Sequence, residues 1–295
     1  MSNKYGFTLN CGRRIAVLKT PKKSDYQTVY LYNPKFVCSS DCKETKGCKC
    51  SDGKCETKEY HDSFNGEIYQ TLEAPKNTKF MISSTNQKHQ TNNVYITGPP
   101  GCGKSDFVVQ YLKVFQQQHK GIPTILISEG AKDDRLDPYI TKRIMPQEII
   151  NENLNFDDFQ DLSSQYGGLI IVFDDIDSLP SDNKNNLKKR TYDLMNSIIN
   201  NSRKYNISVI FTSHTCLEGK YTGTMIRACS QWVFFTEHMN TNTENCAKIY
   251  FDLNPKQFSK LKTLLEESNS HWCSVVNSTP KVIVSEHNIF KLSDL

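Results

Sequence analysis

The octapeptide Gly98-Pro99-Pro100-Gly101-Cys102-Gly103-Lys104-Ser105 follows the spacing G-x-x-x-x-G-K-[ST]. That spacing suits the cradling of phosphate. Gly101 and Gly103 let the backbone take conformations closed to residues with a Cβ, so successive N–H groups can turn inward toward phosphate oxygens. A helix starting directly after the turn adds its positive dipole end. Lys104 supplies a mobile point charge for β- and γ-phosphates, and the Ser105 hydroxyl can ligate Mg²⁺. Asp106 closes the stretch Gly98–Asp106 assigned to nucleotide binding.

A second group of reactive side chains lies 70 positions beyond Lys104, in the run LIIVFDDID. Five apolar residues followed by two carboxylates read as a buried strand with acids at its exit. Asp174 is placed to bind Mg²⁺ opposite Ser105. Asp175 can polarise an attacking water as the catalytic base. Asp177 reads as a helix cap or a solvent-facing acid. Further on, the strand Ser208–Thr212 should lie beside the carboxylate strand and bring Ser213 and His214 toward the γ-phosphate. His214 is then either a phosphate sensor or a strand-end histidine. Arg203 and Arg227 flank that strand, and each could serve a neighbouring subunit's nucleotide as an arginine finger. Arg203 is the preferred candidate.

These residues need a particular frame. The first core strand is expected at Val94–Thr97, ahead of a helix from Lys104 to about Gln118 with Phe107, Val108, Tyr111, Leu112 and Phe115 at helical spacing. Strands follow at Thr124–Ser128, Leu169–Phe173, Ser208–Thr212 and Trp232–Thr236. One or two short helices are expected within 140–164, and a long one from about 181–183 to Lys204. A short helix is expected near Thr224–Cys229, then helices at about 243–250 and 255–268 and a terminal β-pair at about 272–277 and 281–285. Alternation of strand and helix predicts a parallel sheet with helices on both faces. The long gap between the two acid-bearing and phosphate-binding motifs leaves room for an added strand between theirs. With a second acid after the Mg²⁺-binding one, this points to the RecA-like (ASCE) P-loop NTPases, an α/β class, rather than to kinases or small GTPases. The fold expected is a mainly parallel central sheet in an ATPase domain at 89–295, plus a small β-rich region at 1–88.

The N-terminal region carries a hairpin pattern, Arg14–Leu18 and Thr28–Tyr32, and then the segment 38–58, CSSDCKETKGCKCSDGKCETK. Apart from cysteine that segment has no apolar residue and cannot build a core. Cys38, Cys42, Cys48, Cys50 and Cys55 could hold structural Zn²⁺, but their spacings lack the paired C-x2-C arrangement. A lysine-rich loop with free thiols is the alternative. Glu67–Leu72 reads as a helical turn or strand, and Lys79–Ile82 as a strand. With 37% hydrophobic and 23% charged residues, most of the chain can bury a core. The net charge of +4 neither demands nor excludes a nucleic-acid partner. No apolar run reaches membrane-span length, and the N-terminus lacks a signal-peptide core. The expectation is an intracellular protein with reduced thiols, in host cytoplasm, viral factory or virion.

Three blocks in order, GPPGCGKS, LIIVFDDID and NSIINNSRKYNISVIFTSHTCLEGKYTGTMIRACSQWVFF, resemble the FtsK/HerA superfamily of DNA-pumping ATPases. The short chain and the Asp-Asp pair are most similar to the genome-packaging ATPases of poxviruses and other large double-stranded DNA viruses. The resemblance covers about 90–290. It implies ATP and Mg²⁺, a homo-oligomeric ring, double-stranded DNA as cargo and a capsid or portal protein as partner. Carried over by position, Lys104 and Ser105 bind phosphate and Mg²⁺, Asp174 binds Mg²⁺, Asp175 is the base and Arg203 the finger. Relatives usually have Gln where this chain has His214. Lys132, Arg135, Lys184, Lys188, Lys189 and Arg190 are candidates for gripping DNA phosphates. Two other readings stand beside this one. An AAA+-type loader or remodeller would carry a C-terminal helical lid, where this sequence reads as strands. A non-hydrolysing, nucleotide-gated DNA- or capsid-binding module would not need Lys104, Asp174 and Asp175 intact.

Overall fold

Segments rich in β-branched and aromatic residues form two main sheets. The computed structural model describes residues 6–9, 12–19, 26–32, 50–51, 54–55, 68–83, 92–180, 186–217 and 219–295. The smaller sheet is antiparallel, with β1 (Gly6–Thr8), β2 (Arg13–Lys19) and β3 (Tyr26–Tyr32) joined by β7 (Lys79–Ile82) in the order β1-β3-β2-β7. The expected hairpin is β2–β3. Between β3 and β7 in sequence, β4 (Cys50–Ser51) and β5 (Lys54–Cys55) pair antiparallel, with Cys50 opposite Cys55. For the zinc expectation, Cys38, Cys42 and Cys48 lie outside the described residues, as do the side chains of Cys50 and Cys55.

The larger sheet has ten strands. They are β6 (Thr71–Glu73), β8 (Val94–Thr97), β9 (Thr124–Ile127), β10 (Lys142–Ile144), β11 (Leu169–Phe173), β12 (Ile207–Ser213), β13 (Gln231–Phe235), β14 (Trp272–Val276), β15 (Val282–Ser285) and β16 (Asn288–Lys291). Their order is β10-β9-β11-β12-β8-β13-β14-β15-β16-β6. The first six pair in parallel and the rest antiparallel. The strand between the phosphate-loop strand β8 and the carboxylate strand β11 is β12, which follows both motifs in the chain, whereas the gap between the motifs holds β9 and β10, which lie beyond β11.

Strand β11, LIIVF, is fully buried, as a central parallel strand covered on both faces must be. Its alternate residues enter different cores. Ile171 and Phe173 pack with Phe159, Met195, Ile198 and Leu261 on one face. Ile170 and Val172 face Val108, Leu112 and Phe115 together with Ile15, Val29 and Phe80 of the small sheet. The first face is covered by α2 (Pro146–Asn151), α3 (Phe156–Tyr166), α4 (Leu187–Tyr205), α5 (Gly219–Ala228), α6 (Thr241–Phe251) and α7 (Pro255–Glu267). The second is covered by α1 (Lys104–Gln118) and the small sheet. No described helix is long and apolar enough to cross a membrane.

Helix ends follow local chemistry. Asn155 caps α3 and Asn254 caps α7, each in a reciprocal capping box. Pro255 occupies the first turn of α7, where a missing N–H costs nothing. Two strands of the larger sheet escaped the sequence reading, as did β1, β4 and β5 outside it. Strand β10 is only three residues long and lies inside the stretch expected to be helical, and β16 follows β15 after a two-residue turn. Residues 272–291 extend the sheet rather than forming a helical lid.

Candidate functional site

The parallel register brings Thr97, Phe173 and Ser213 to the same end of the sheet. The phosphate loop leaves β8 there. Gly101 and Gly103 have φ of 81° and 103°, the left-handed region that glycine tolerates, and Gly103 caps α1. Gly98 is required for another reason. A Cβ there would lie 2.5 Å from Cys102 Sγ and 3.0 Å from a ring carbon of Phe235. The Gly98 N–H donates to Ser213 O at 3.1 Å, fastening the loop to the end of β12. Pro100 is exposed, and Asp106 pairs at the surface with Arg135 at 2.8 Å.

Lys104 is the buried centre of the site. Its ammonium donates to Gly98 O at 2.8 Å and lies 3.0 Å from Nδ1 of His214 and 3.7 Å from Asp175 Oδ1. An ammonium has donors only, so Nδ1 must accept. The remaining ring proton then sits on Nε2, 3.6 Å from Asp175 Oδ2. Asp175 adopts φ 49°, and this left-handed turn aims its carboxylate back toward Lys104 and His214. Lys104, Asp175 and His214 thus come together as expected.

One hydroxyl organises the acid pair. Thr212 Oγ1 lies 2.7 Å from Asp174 Oδ1 and 3.3 Å from Asp175 Oδ1, and it accepts the Asp175 N–H at 2.9 Å. Burial pushes the Asp174 carboxyl above the usual aspartate range, with the Thr212 bond opposing the shift. Among the described residues, the second oxygen of Asp174 meets only the Ser128 hydroxyl, at 3.5 Å. A desolvated carboxylate with weakly engaged oxygen suits a cation, and Ser105 stands half-buried in the first turn of α1. The donor set therefore fits Mg²⁺, with Asp174 and Ser105 as the residues that would hold it. When bound, such an ion neutralises phosphate charge.

Two expectations are corrected. Asp177 is neither a helix cap nor solvent-facing. Its Oδ2 accepts the His214 N–H at 2.6 Å and the Ser213 hydroxyl at 2.9 Å, fixing the turn that presents His214. Lys188 is buried and donates to Asp177 O at 2.7 Å, so it is not a surface cation. Arg135 and Lys189 are engaged with Asp106 and Asp193. Lys184 lies outside the described residues.

Arg203 and Arg227 are exposed in the last turns of α4 and α5. Both lie where the chain enters β12 and β13, at the end of the sheet opposite the phosphate loop. The seven residues of β12 separate Arg203 from His214 by roughly 20 Å. Neither arginine reaches the phosphate-loop site of its own chain. Thr212 and Asp177 were missed by sequence reasoning. Their roles come from strand register, although a hydroxyl residue one position before Ser213-His214 is a usable signal.

Residues 87–219 match the family model described as "AAA domain". "Uncharacterized protein V3" of Sputnik virophage is 26% identical over 206 residues, covering 66% of this chain and 74% of that protein. Among solved structures, the chain is similar to B204, the DNA-packaging ATPase from Sulfolobus Turreted Icosahedral Virus. The TM-score is 0.47 at 15% identity, covering 65% of this chain and 96% of that one. The cytoplasmic domain of the Thermomonospora curvata Type VII secretion ATPase EccC gives a TM-score of 0.46 at 14% identity, covering 74% of this chain and 28% of that one. With β12 between β8 and β11 and a glycine-built phosphate loop, the chain has a P-loop NTPase fold, of which residues 87–219 match the AAA domain.

Proposed function

We propose that this protein is an ATP-hydrolysing motor that moves double-stranded DNA into a preformed viral capsid. The observation that carries hydrolysis is the meeting of Lys104, Asp175 and His214 beside Asp174, under the control of Thr212. Lys104 binds the β- and γ-phosphates. Asp175 orients the attacking water and accepts its proton. His214 holds Lys104 and Asp175 in register and senses the terminal phosphate. Asp174 and Ser105 would hold Mg²⁺.

The resemblance of the three sequence blocks supports DNA as cargo, and the virophage relative supports a viral setting. The distance of Arg203 from its own site supports a ring in which that arginine reaches the neighbouring nucleotide. A finger of this kind contributes about 10³–10⁵ in kcat in related phosphoryl-transfer systems. The family match favours a second reading, an AAA+-type loader. The C-terminal strands, standing where a lid would be, count against it.

ATP-dependent displacement of a triplex-forming strand from duplex DNA tests the motor. A motor strips the third strand only with hydrolysable ATP. Hydrolysis with no displacement, in the presence of capsid or portal protein, favours the loader.

A further inference from the structure

On the face of α1 away from the main helical layer, a cleft of about 1010 Å³ opens between that helix, the edge of the small sheet and the turn before β7. Among the described residues, four lysines line it, Lys19, Lys76, Lys79 and Lys113, and no carboxylate does. The whole chain has 36 basic and 32 acidic residues, so the lining is biased well beyond composition. Lys19 and Lys79 are direct partners across the antiparallel β2–β7 ladder, and both are exposed. Like charges facing each other across a ladder cost stability, which an anion between them relieves. Glu286, 3.0 Å from Lys79, offsets one charge, and it is buried and shared with the His271 N–H at 2.9 Å. Lys113 lies 5.6 Å above the Tyr139 ring, and Tyr26 and Phe80 add aromatic wall.

We propose that this cleft binds the phosphate backbone of DNA. The four lysines come from two strands, a turn and a helix, so they form a strip rather than a point. A polymer with charge repeated every ~1.7 Å can engage the whole strip, whereas a small anion engages one end of it. The choice of DNA among polyanions rests on the proposed motor. The placement also couples cargo to chemistry. Lys113 lies nine residues along α1 from Lys104, about 14 Å by helical rise. DNA held in the cleft therefore bears on the helix that begins at the phosphate loop.

The test measures binding of a short labelled duplex to the full chain across a salt series, for wild type and the triple variant Lys19→Ala/Lys76→Ala/Lys113→Ala. Lys79 is left with Glu286, and thermal melting checks that the variant folds. The single variant Lys113→Glu is the fallback if the triple does not fold. The triple variant should bind at least ~10-fold more weakly, and its log K against log salt slope should shrink by about 2.7, or 0.9 per lost contact. Absence of wild-type DNA binding, or a folded variant with wild-type affinity and slope, overturns the inference. Poly-glutamate binding as tight as DNA and equally lost in the variant overturns DNA as the occupant. ATP hydrolysis, read separately, distinguishes the two claims. A wild type that binds DNA through these lysines without hydrolysing ATP sinks the motor and keeps the cleft. Equal DNA stimulation in both proteins does the reverse.

Discussion

Nδ1 of His214 lies 3.0 Å from the ammonium of Lys104. The contact shows how a histidine can do what a glutamine would do at this position, the residue usual in the superfamily that the sequence blocks resemble. Imidazole Nδ1 and an amide carbonyl are both acceptors that a lysine can reach, and Nε2–H and an amide NH₂ are both donors for Asp175. His214→Gln should therefore keep kcat within about threefold of wild type. His214→Ala, with no acceptor, should lower kcat by roughly 10–100-fold with a smaller change in KM. Steady-state kinetics of the two variants decides this. Equal loss in both would assign His214 a role beyond hydrogen bonding.

Thr212→Val keeps shape and removes the hydroxyl that holds both acids. The Asp175 N–H loses its acceptor, costing about 1–3 kcal/mol of stability. We expect a measurable drop in melting temperature and a fall in kcat of roughly 10–100-fold, larger than the change in KM. Thr212→Ser should restore most of both. A valine variant with wild-type kcat would show that the hydroxyl does not position the acid pair.

Asp177→Asn tests the turn that presents His214. The Asn carbonyl can still accept the His214 N–H but carries no charge, and Asp177→Ala accepts nothing. The alanine variant should lose activity to about the same extent as His214→Ala. The double variant should be no worse than either single one, because both act through the same contact. Additive losses would separate the two residues.

Cys102 offers a pH-dependent probe of the phosphate loop. Burial pushes its thiol above the ordinary cysteine range, with the nearby Lys104 charge opposing. The thiolate is the reacting form, so a raised pKa means less thiolate at neutral pH. Alkylation should be slower than for a free thiol near pH 8 and should accelerate as pH rises through and beyond the usual range of about 8.5. Bound ATP should slow it further. Mass mapping of Cys102 with and without nucleotide checks both, and indifference to nucleotide would place the ligand elsewhere. Cys229 and Cys273 are fully buried, and burial raises both thiols, so they should resist labelling until the chain unfolds.

Much of the frame is legible in the residues themselves. LIIVF reads as a strand buried on both faces, as it is, and the glycines of the phosphate loop announce its turn. The separation of Lys104 and Asp174 holds β9 and β10, which lie on the far side of β11, while the strand between β8 and β11 is β12, from later in the chain. What sequence could not supply is register. Thr212 touches both acids because β11 and β12 pair with Phe173 opposite Phe211, a long-range fact with no local signature. Asp177 looked like a cap because the pattern D-x-D before a helix resembles one. Its partners come from β12, 36 and 37 positions away. Lys188 looked like one cation among several on a basic helix face, yet its ammonium is taken inward by a carbonyl of the site. The lysine cleft is assembled from four separate elements and has no counterpart in any linear charge run.

The most direct test of the central claim is steady-state ATP hydrolysis by the full chain, with and without duplex DNA, for wild type, Lys104→Ala and Asp175→Asn. Wild type should hydrolyse ATP, faster with DNA. Lys104→Ala should lose binding and turnover together. Asp175→Asn should bind ATP but turn it over roughly 10²–10⁴-fold more slowly, as expected for loss of a general base. Hydrolysis by Asp175→Asn at the wild-type rate, or no hydrolysis by wild type under any of these conditions, would contradict the account.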